Sequence, residues 1–370
     1  MSGVHQFVPM LHRHDAVGEH TRSLRDRLVA SGVESRIYTE LPDPRTSAET
    51  RHFRQYADDA RPGDVLVYQF ATESAIAAWL AARAERLVVN YHSITPPRFF
   101  APWNNGIAQL QVAALGELGL LAPRADLGIA VSHFDEAELS GAGCTATTVI
   151  PVANVDTPPT APDPTALARL EEAAGRRRTA GGPARSWLSV GRLAPNKCHH
   201  ETVAALFVAR MTVDPGAHLT IVGAPSEPAY AGALHRYVAT LGLEDAVEFV
   251  TGIDEAQLAA HFRAADVLVM LSEHEGFGVP LVEAMGHRLP VVAFDAGAVR
   301  EVVGDAAVLL DRKHPRRVVG AVTGLLDDPA ARDRLVERGV ARLPGLGLAE
   351  AGERLVAAVR GVAEGAPRAG

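Results

Sequence analysis

SWLSVGRLAPNKCHHETVAAL, residues 186–206, decides how this chain folds. It opens as a short apolar run ending at Gly191. It then passes Arg192 and Lys197 and enters a helical pattern near Asn196, a residue type that caps helices. An apolar run unbroken at its centre is what a parallel strand covered on both faces requires. The same rhythm extends outward. Downstream come LTIVG from Leu219, VEFV from Val247, DVLVML from Asp266, PVVAF from Pro290 and AVLLD from Ala307. Upstream come HQFVPML from His5, SRIYTE from Ser35, DVLVYQ from Asp64, RLVVNYH from Arg86, LGIAVS from Leu127 and TTVIPV from Thr147. Helical segments such as EHTRSLRDRLVASG and TESAIAAWLAARAE separate them. Strand–helix alternation over both halves predicts an α/β chain built from two doubly wound parallel-sheet units.

The chain has 370 residues, more than one ordinary core accommodates, which also favours two domains. Proline, glycine and like charges from Asp156 to Arg185 mark the break, with TPPTAPDPT before a charged helical piece and RRRTAGGPAR after it. The expected division is 1–165, a linker at 166–185, a second domain at 186–345, and a C-terminal helix and tail at 346–370. Apolar residues are 47% and charged residues 22%, which excludes disorder for the whole chain. Two cysteines, Cys144 and Cys198, exclude a disulfide framework. A net charge of −8 argues against a general nucleic-acid binder. The first twenty residues show no targeting pattern and no run of eighteen apolar residues occurs, so a cytoplasmic location with at most peripheral contact at the inner membrane face is expected. The most apolar stretch, Ile107–Ala122, is expected to be a protein-buried helix. Among 36 lysines and arginines only Lys197 and Lys313 are lysine, which hints at positions where arginine does not serve.

Several fingerprints fail. Gly141-Ala-Gly143-Cys-Thr-Ala146 has the letters of a dinucleotide loop but follows a helical pattern and precedes a strand, so it reads as a helix-ending turn. There is no Walker A sequence and no Asp-x-Asp to hold a divalent metal on a diphosphate. His12, His14, His20, His199 and His200 lack cysteines at zinc spacing, so no metal site is expected.

Three passages carry chemistry. Arg192 and Lys197 place two cations beside a helix start at the end of a strand, which suits a diphosphate; an ordinary surface ion pair is the competing reading. SEHEGFGVPLVEAM places Glu275 before Gly276-Phe277-Gly278 and Glu283 on the following helix, with main-chain N–H groups between them for an anionic or polyhydroxyl ligand. FDAGAVREVVG offers a turn at Gly297 and a helix start near Glu301, a capping turn as readily as a functional one.

Together, VGRLAPNK, TGIDEAQLAAHFRAADVLVMLSEHEGFGVPLVEAM and PVVAFDAGAVREVV closely resemble the retaining glycosyltransferases of family 4, which have the GT-B fold of two Rossmann-like domains facing across a cleft. The resemblance is strongest from Trp187 to about Asp311 and weaker over DAVGEHTRSLRDRLVASG, VVNYHSITPP and LGIAVSHFDEAELSGAG. It implies a first domain that binds acceptor, a second that binds a nucleoside-diphosphate sugar, and transfer of a hexose with retention, needing no metal or other cofactor. It implies that Arg192 and Lys197 bind the donor diphosphate and stabilise the leaving group. Glu275 would contact the donor sugar, with the N–H groups of Gly276, Phe277, Gly278 and Val279 beside it. Glu283 would bind the ribose and the backbone at Ile253 would meet the base. Gly18 would lie in a loop approaching the diphosphate, and His92 would contact the sugar near the reacting centre; without the resemblance, His92 reads as a strand-end histidine. Two departures stand out: one glycine, Gly18, where relatives often have two, and Ala153-Asn154-Val155-Asp156 where the family has Asn-Gly-Val-Asp. The acceptor implied is a glycan, a lipid-linked sugar or a small hydroxyl compound, as in polysaccharide synthesis. A nucleotide-sugar epimerase on the same fold and a sugar-nucleotide binder without catalysis are the alternatives.

Overall fold

The computed structural model describes residues 3–11, 16–152, 159–179 and 181–365. They fall into two compact units, one within 1–101, 105–154 and 347–370, the other within 102–104 and 155–346. His12, His14 and the 153–156 turn lie outside the described residues.

The first unit is built on a seven-stranded parallel sheet. Its strands are β1 (Val4–Met10), β2 (Ile37–Leu41), β3 (Thr50–His52), β4 (Val65–Phe70), β5 (Arg86–Tyr91), β6 (Leu127–Ala130) and β7 (Thr147–Val149), in the order β3-β2-β1-β4-β5-β6-β7. The central strand β4 is buried at every position because alternate side chains feed two cores. Val65 and Val67 pack with Leu24, Leu28, Leu355 and Val359, whereas Leu66, Tyr68 and Phe70 pack with Phe7, Tyr38, Leu80 and Leu118. The apolar stripe of the C-terminal helix Leu348–Ala363 therefore belongs to this first unit, where each buried leucine or valine contributes about 1.5–3 kcal/mol.

The second unit has six parallel strands, β8 (Ser186–Val190), β9 (His218–Val222), β10 (Val247–Val250), β11 (Val267–Met270), β12 (Val291–Phe294) and β13 (Val308–Leu310), in the order β10-β9-β8-β11-β12-β13. Trp187, Leu219, Ile221, Val269 and Val292 form its core with Val203, Leu206, Val318 and Val322 from flanking helices. In each sheet the strand order reverses once, between β1 and β4 and between β8 and β11. The loops at the carboxyl ends of those strands part there, which is where open α/β sheets bind ligands.

Four expectations need correction. The 166–185 stretch is largely a helix, Pro164–Thr179, packed against the helix Glu255–Ala264 of the second unit. Its Arg177 donates to Ser186 Oγ at 2.9 Å and its Arg178 pairs with Asp266; the charged helical piece expected within the linker docks on the second unit. The helix after β8 begins at His199, not near Asn196: Pro195–Lys197 form a 3-10 turn, and Cys198 breaks the path with φ 53°. Gly18 lies inside the first turn of the helix Ala16–Ala30, not in a loop. Finally, the helix Asn105–Leu121 buries Ala108, Ala114, Leu118 and Leu121 but leaves Leu110, Val112, Leu115 and Leu120 exposed. By length and composition the helical stretch Asn105–Arg124, which continues this helix, is apolar enough to cross a membrane. Its run of alanine, glycine and leucine has no polar face to mark the solvent side.

Candidate functional site

In the second unit, the loops after β8 and β11 meet at the sheet's reversal point. After β8, Gly191 turns with φ 151°, and Arg192 follows, exposed, with no carboxylate paired to it among the described residues. The 3-10 turn brings Lys197 back so that its Nζ donates to both oxygens of Glu275, at 2.7 and 2.8 Å. Glu275 is only 5% exposed, so that ammonium offsets the burial of its carboxylate. The two loops are also stitched through their backbones. Glu273 N donates to Asn196 O at 2.9 Å, and Asn196 Nδ2 donates to His274 O at 3.3 Å. The asparagine expected to cap a helix is spent on this junction instead.

The turn at Gly297 supplies a third wall. Ala298 N donates to Glu275 O at 2.9 Å, and a Cβ at Gly297, where φ is 58°, would lie 2.4 Å from that same oxygen. Here only glycine fits. Gly278, with φ 90°, starts the helix Val279–Gly286, which has no side-chain cap; Pro280 carries no N–H and Leu281 N donates to Gly278 O at 2.9 Å, which leaves Val279 as the helix's leading N–H beside Gly276 and Phe277. Glu283 is half-buried in the second turn of that helix. Ile253 is half-buried after β10, next to Asp254, which caps the following helix.

Two supports of this site were missed from sequence. His199 is buried and holds the cation loop: it bonds Ser189 Oγ through Nδ1 at 3.1 Å and the carbonyls of Gly191 and Arg192 through Nε2, both at 3.2 Å. Burial lowers its pKa to about 4, so it is neutral and donates from Nε2. The second support is Lys313, which reaches Glu273 and Glu201 and lies 3.4 Å from Cys198 Sγ. Burial works against its charge, but the two carboxylates hold its pKa above the usual lysine value. Both lysines of the chain therefore serve one region, Lys197 on Glu275 and Lys313 on Glu273.

In the first unit, a polar cluster occupies the equivalent reversal point. His92 follows β5, and its Nε2 lies 2.8 Å from Gln69 Oε1. Gln69 also contacts Gln6 and Asn90, and Asn90 contacts His20, which lies edge-on to His92 with ring centres 5.2 Å apart. Burial brings the pKa of His20 down to about 4 and that of His92 well below the usual histidine value. The sequence held a signal for these residues: Gln6, Gln69 and Asn90 are the lone amides within largely apolar strands. Phe99 and Phe100 are buried in a small cluster with Ala108, as core packing would have them.

Comparison with known proteins agrees with this architecture. The chain superimposes on Anabaena HepE in complex with UDP-glucose with a TM-score of 0.74 and 18% identity, covering 98% of this chain and 99% of that one. Sucrose-phosphate synthase from Thermosynechococcus elongatus gives 0.76 and 21%, covering 99% and 100%. The fold is thus GT-B. Residues 179–342 match the family described as glycosyl transferases group 1. A D-inositol 3-phosphate glycosyltransferase of Thermomonospora curvata is 34% identical over 192 residues, 49% of this chain and 44% of that protein. A GDP-mannose-dependent alpha-(1-6)-phosphatidylinositol monomannoside mannosyltransferase of Mycobacterium tuberculosis is 34% identical over 196 residues, 50% of this chain and 48% of that protein. Each match spans about half the length of the relative or less.

Proposed function

We propose that this chain is a retaining glycosyltransferase that moves a hexose from a nucleoside-diphosphate sugar to a hydroxyl acceptor without a metal ion. The observation that carries the reading is the Lys197–Glu275 pair at the reversal point of the second sheet, with Arg192 exposed on the same loop. Relatives named for GDP-mannose and a neighbour holding UDP-glucose support a nucleoside-diphosphate donor.

In this reading the bond from the anomeric carbon to the diphosphate oxygen breaks and negative charge builds on the diphosphate. Arg192 and Lys197 are fixed cations aimed at that charge, each contributing roughly 3 kcal/mol to the barrier reduction. They take the part that an Asp-x-Asp-bound metal takes elsewhere. Glu275 positions Lys197 and accepts hydrogen bonds from sugar hydroxyls. The N–H groups at Gly276 to Val279 meet oxygens of the donor, Glu283 binds the ribose, and the backbone at Ile253 meets the base. His92 contacts the sugar. The acceptor oxygen forms its bond on the face the diphosphate leaves, and its proton passes to the diphosphate. Gly18, now placed in a helix, would act through its backbone at most.

The test is a panel of UDP-, GDP- and ADP-hexoses incubated in EDTA, with and without glycan, glycolipid and small hydroxyl acceptors. Acceptor-dependent release of nucleoside diphosphate, with the anomeric configuration of the product unchanged by NMR, is the expected result. Interconversion of the donor alone would replace the reading with an epimerase. Activity that vanishes in EDTA and returns with magnesium would remove metal independence.

A further inference from the structure

The polar cluster of the first unit has a direction, and the direction is set at one end. Gln6 Nε2 donates to the main-chain carbonyl of Thr21 at 2.9 Å. A carbonyl oxygen only accepts, so the amide orientation of Gln6 is fixed. Gln6 Oε1 is then an acceptor, and Gln69 Nε2 donates to it at 2.8 Å. That fixes Gln69, whose Oε1 receives two partners: Asn90 Nδ2 at 2.9 Å and His92 Nε2 at 2.8 Å. His92 must therefore carry its proton on Nε2. Asn90 Nδ2 also lies 2.8 Å from His20 Nε2, which accepts, so His20 carries its proton on Nδ1. Reversing the chain would turn Gln6 Oε1 toward the Thr21 carbonyl and set two acceptors against each other.

The parallel register supports this arrangement. Gln69 of β4 and Asn90 of β5 are direct partners across the sheet. Gln6, Gln69 and Asn90 are 0%, 0% and 1% exposed, and Asn90 Oδ1 is buried with no hydrogen-bond partner. Apolar residues would fill these strand positions without that penalty, and the rest of β4 does so.

We propose that Gln6, Gln69 and Asn90 are positioning residues that hold His92 in its neutral Nε2–H form, so that Nδ1 offers a lone pair to a hydroxyl of the substrate sugar. His92 then accepts a hydrogen bond rather than giving a proton. The hydroxyl assignment rests on the glycosyltransferase reading; the tautomer assignment does not.

The test uses full-length protein labelled with 15N-histidine. Long-range 1H–15N correlation spectra, assigned with a His92→Gln variant, report which ring nitrogen holds the proton without any substrate. Wild type is expected to show Nε2–H for His92 and Nδ1–H for His20. Gln69→Met, which keeps the volume and removes both polar atoms of the amide, is expected to give mixed His92 tautomers and to lower kcat/KM for sugar transfer about tenfold. Gln6→Met, which removes the anchor to Thr21 and the acceptor for Gln69 Nε2 but leaves Gln69 and Asn90 in place, serves if Gln69→Met does not fold, and is expected to mix the tautomers as well. An Nδ1–H form of His92 in the wild type, or an unchanged tautomer in a folded variant, overturns the proposal. A correct tautomer in a protein that transfers no sugar would refute the glycosyltransferase reading and leave the relay standing.

Discussion

Replacing Lys197 by methionine keeps most of the side-chain volume and removes the charge, and it separates two consequences that are easily confused. The first concerns stability. Lys197 Nζ sits 2.7 and 2.8 Å from the oxygens of Glu275, with the two side chains 17% and 6% exposed. At an effective dielectric of about 20, unit charges about 3 Å apart attract by roughly 5 kcal/mol. Stranding one member of a buried pair typically costs about 3–5 kcal/mol. Partial exposure of the lysine places the expected loss near the lower end, about 3 kcal/mol, read as a lower midpoint in urea at unchanged slope. The second consequence concerns catalysis. Loss of a cation facing the leaving diphosphate should lower turnover a hundredfold or more, about 3 kcal/mol. The double variant Lys197→Met with Glu275→Gln tells them apart. It removes the stranded carboxylate and should recover most of the stability while remaining inactive. A Lys197→Met protein as stable as wild type would refute the account of the pair. Near wild-type turnover in either variant would refute the role of the cation.

Other outcomes follow from the same geometry. His20 and His199, one in each unit, have pKa values lowered by burial to about 4 from an unfolded value of 6.5. Between those values the unfolded chain binds more protons, so stability is full above about pH 6.5 and falls toward pH 4. Denaturant midpoints should show a loss of about 2 kcal/mol per histidine between pH 8 and pH 5, and His199→Gln should remove its share of that slope. Gly297→Ala forces a Cβ to 2.4 Å from Glu275 O at φ 58° and should destabilise the second unit by about 3 kcal/mol. Gly116→Ala, in a helix with open space around it, should instead stabilise by about 0.5–1 kcal/mol in the same melt. Glu283→Ala should raise the Michaelis constant for the donor with little change in turnover; an unchanged constant would take it out of the ribose site.

The fold was legible because its signal is repeated. Most parallel strands are an apolar run followed by a helix, and errors of a residue or two do not change the topology; the polar edge strand β3, Thr50–His52, carried no such signal and went unread. The cations and Glu275 were legible for a related reason: Gly191, Gly276 and Gly278 mark loops at strand ends, and charged side chains in such loops stand out. The helix start at Asn196 misled because a good capping residue has other uses, and here its amide ties two loops together. Gly18 misled because its loop placement was carried over from the resemblance, whereas here it lies in the first turn of the helix Ala16–Ala30. His199, Lys313 and the Gln6–Gln69–Asn90 chain act through partners far away in sequence. Their spacing says nothing, although a lone amide in an apolar strand is a clue to a buried network. The exposed face of Asn105–Leu121 was illegible because burial of an alanine- and leucine-rich helix is decided by what packs against it.

The central claim is that the second unit holds a nucleoside diphosphate with side-chain cations. Thermal melts of the purified chain with UDP, GDP, ADP, dTDP and CDP, each in EDTA and in magnesium, test it most directly. A ligand at about a hundred times its dissociation constant adds about 2.7 kcal/mol, enough to raise the midpoint by a few degrees. The account predicts that one diphosphate does so equally in EDTA and in magnesium, and that the rise disappears in Lys197→Met. No rise with any diphosphate in folded protein, or a rise only with magnesium, would contradict it.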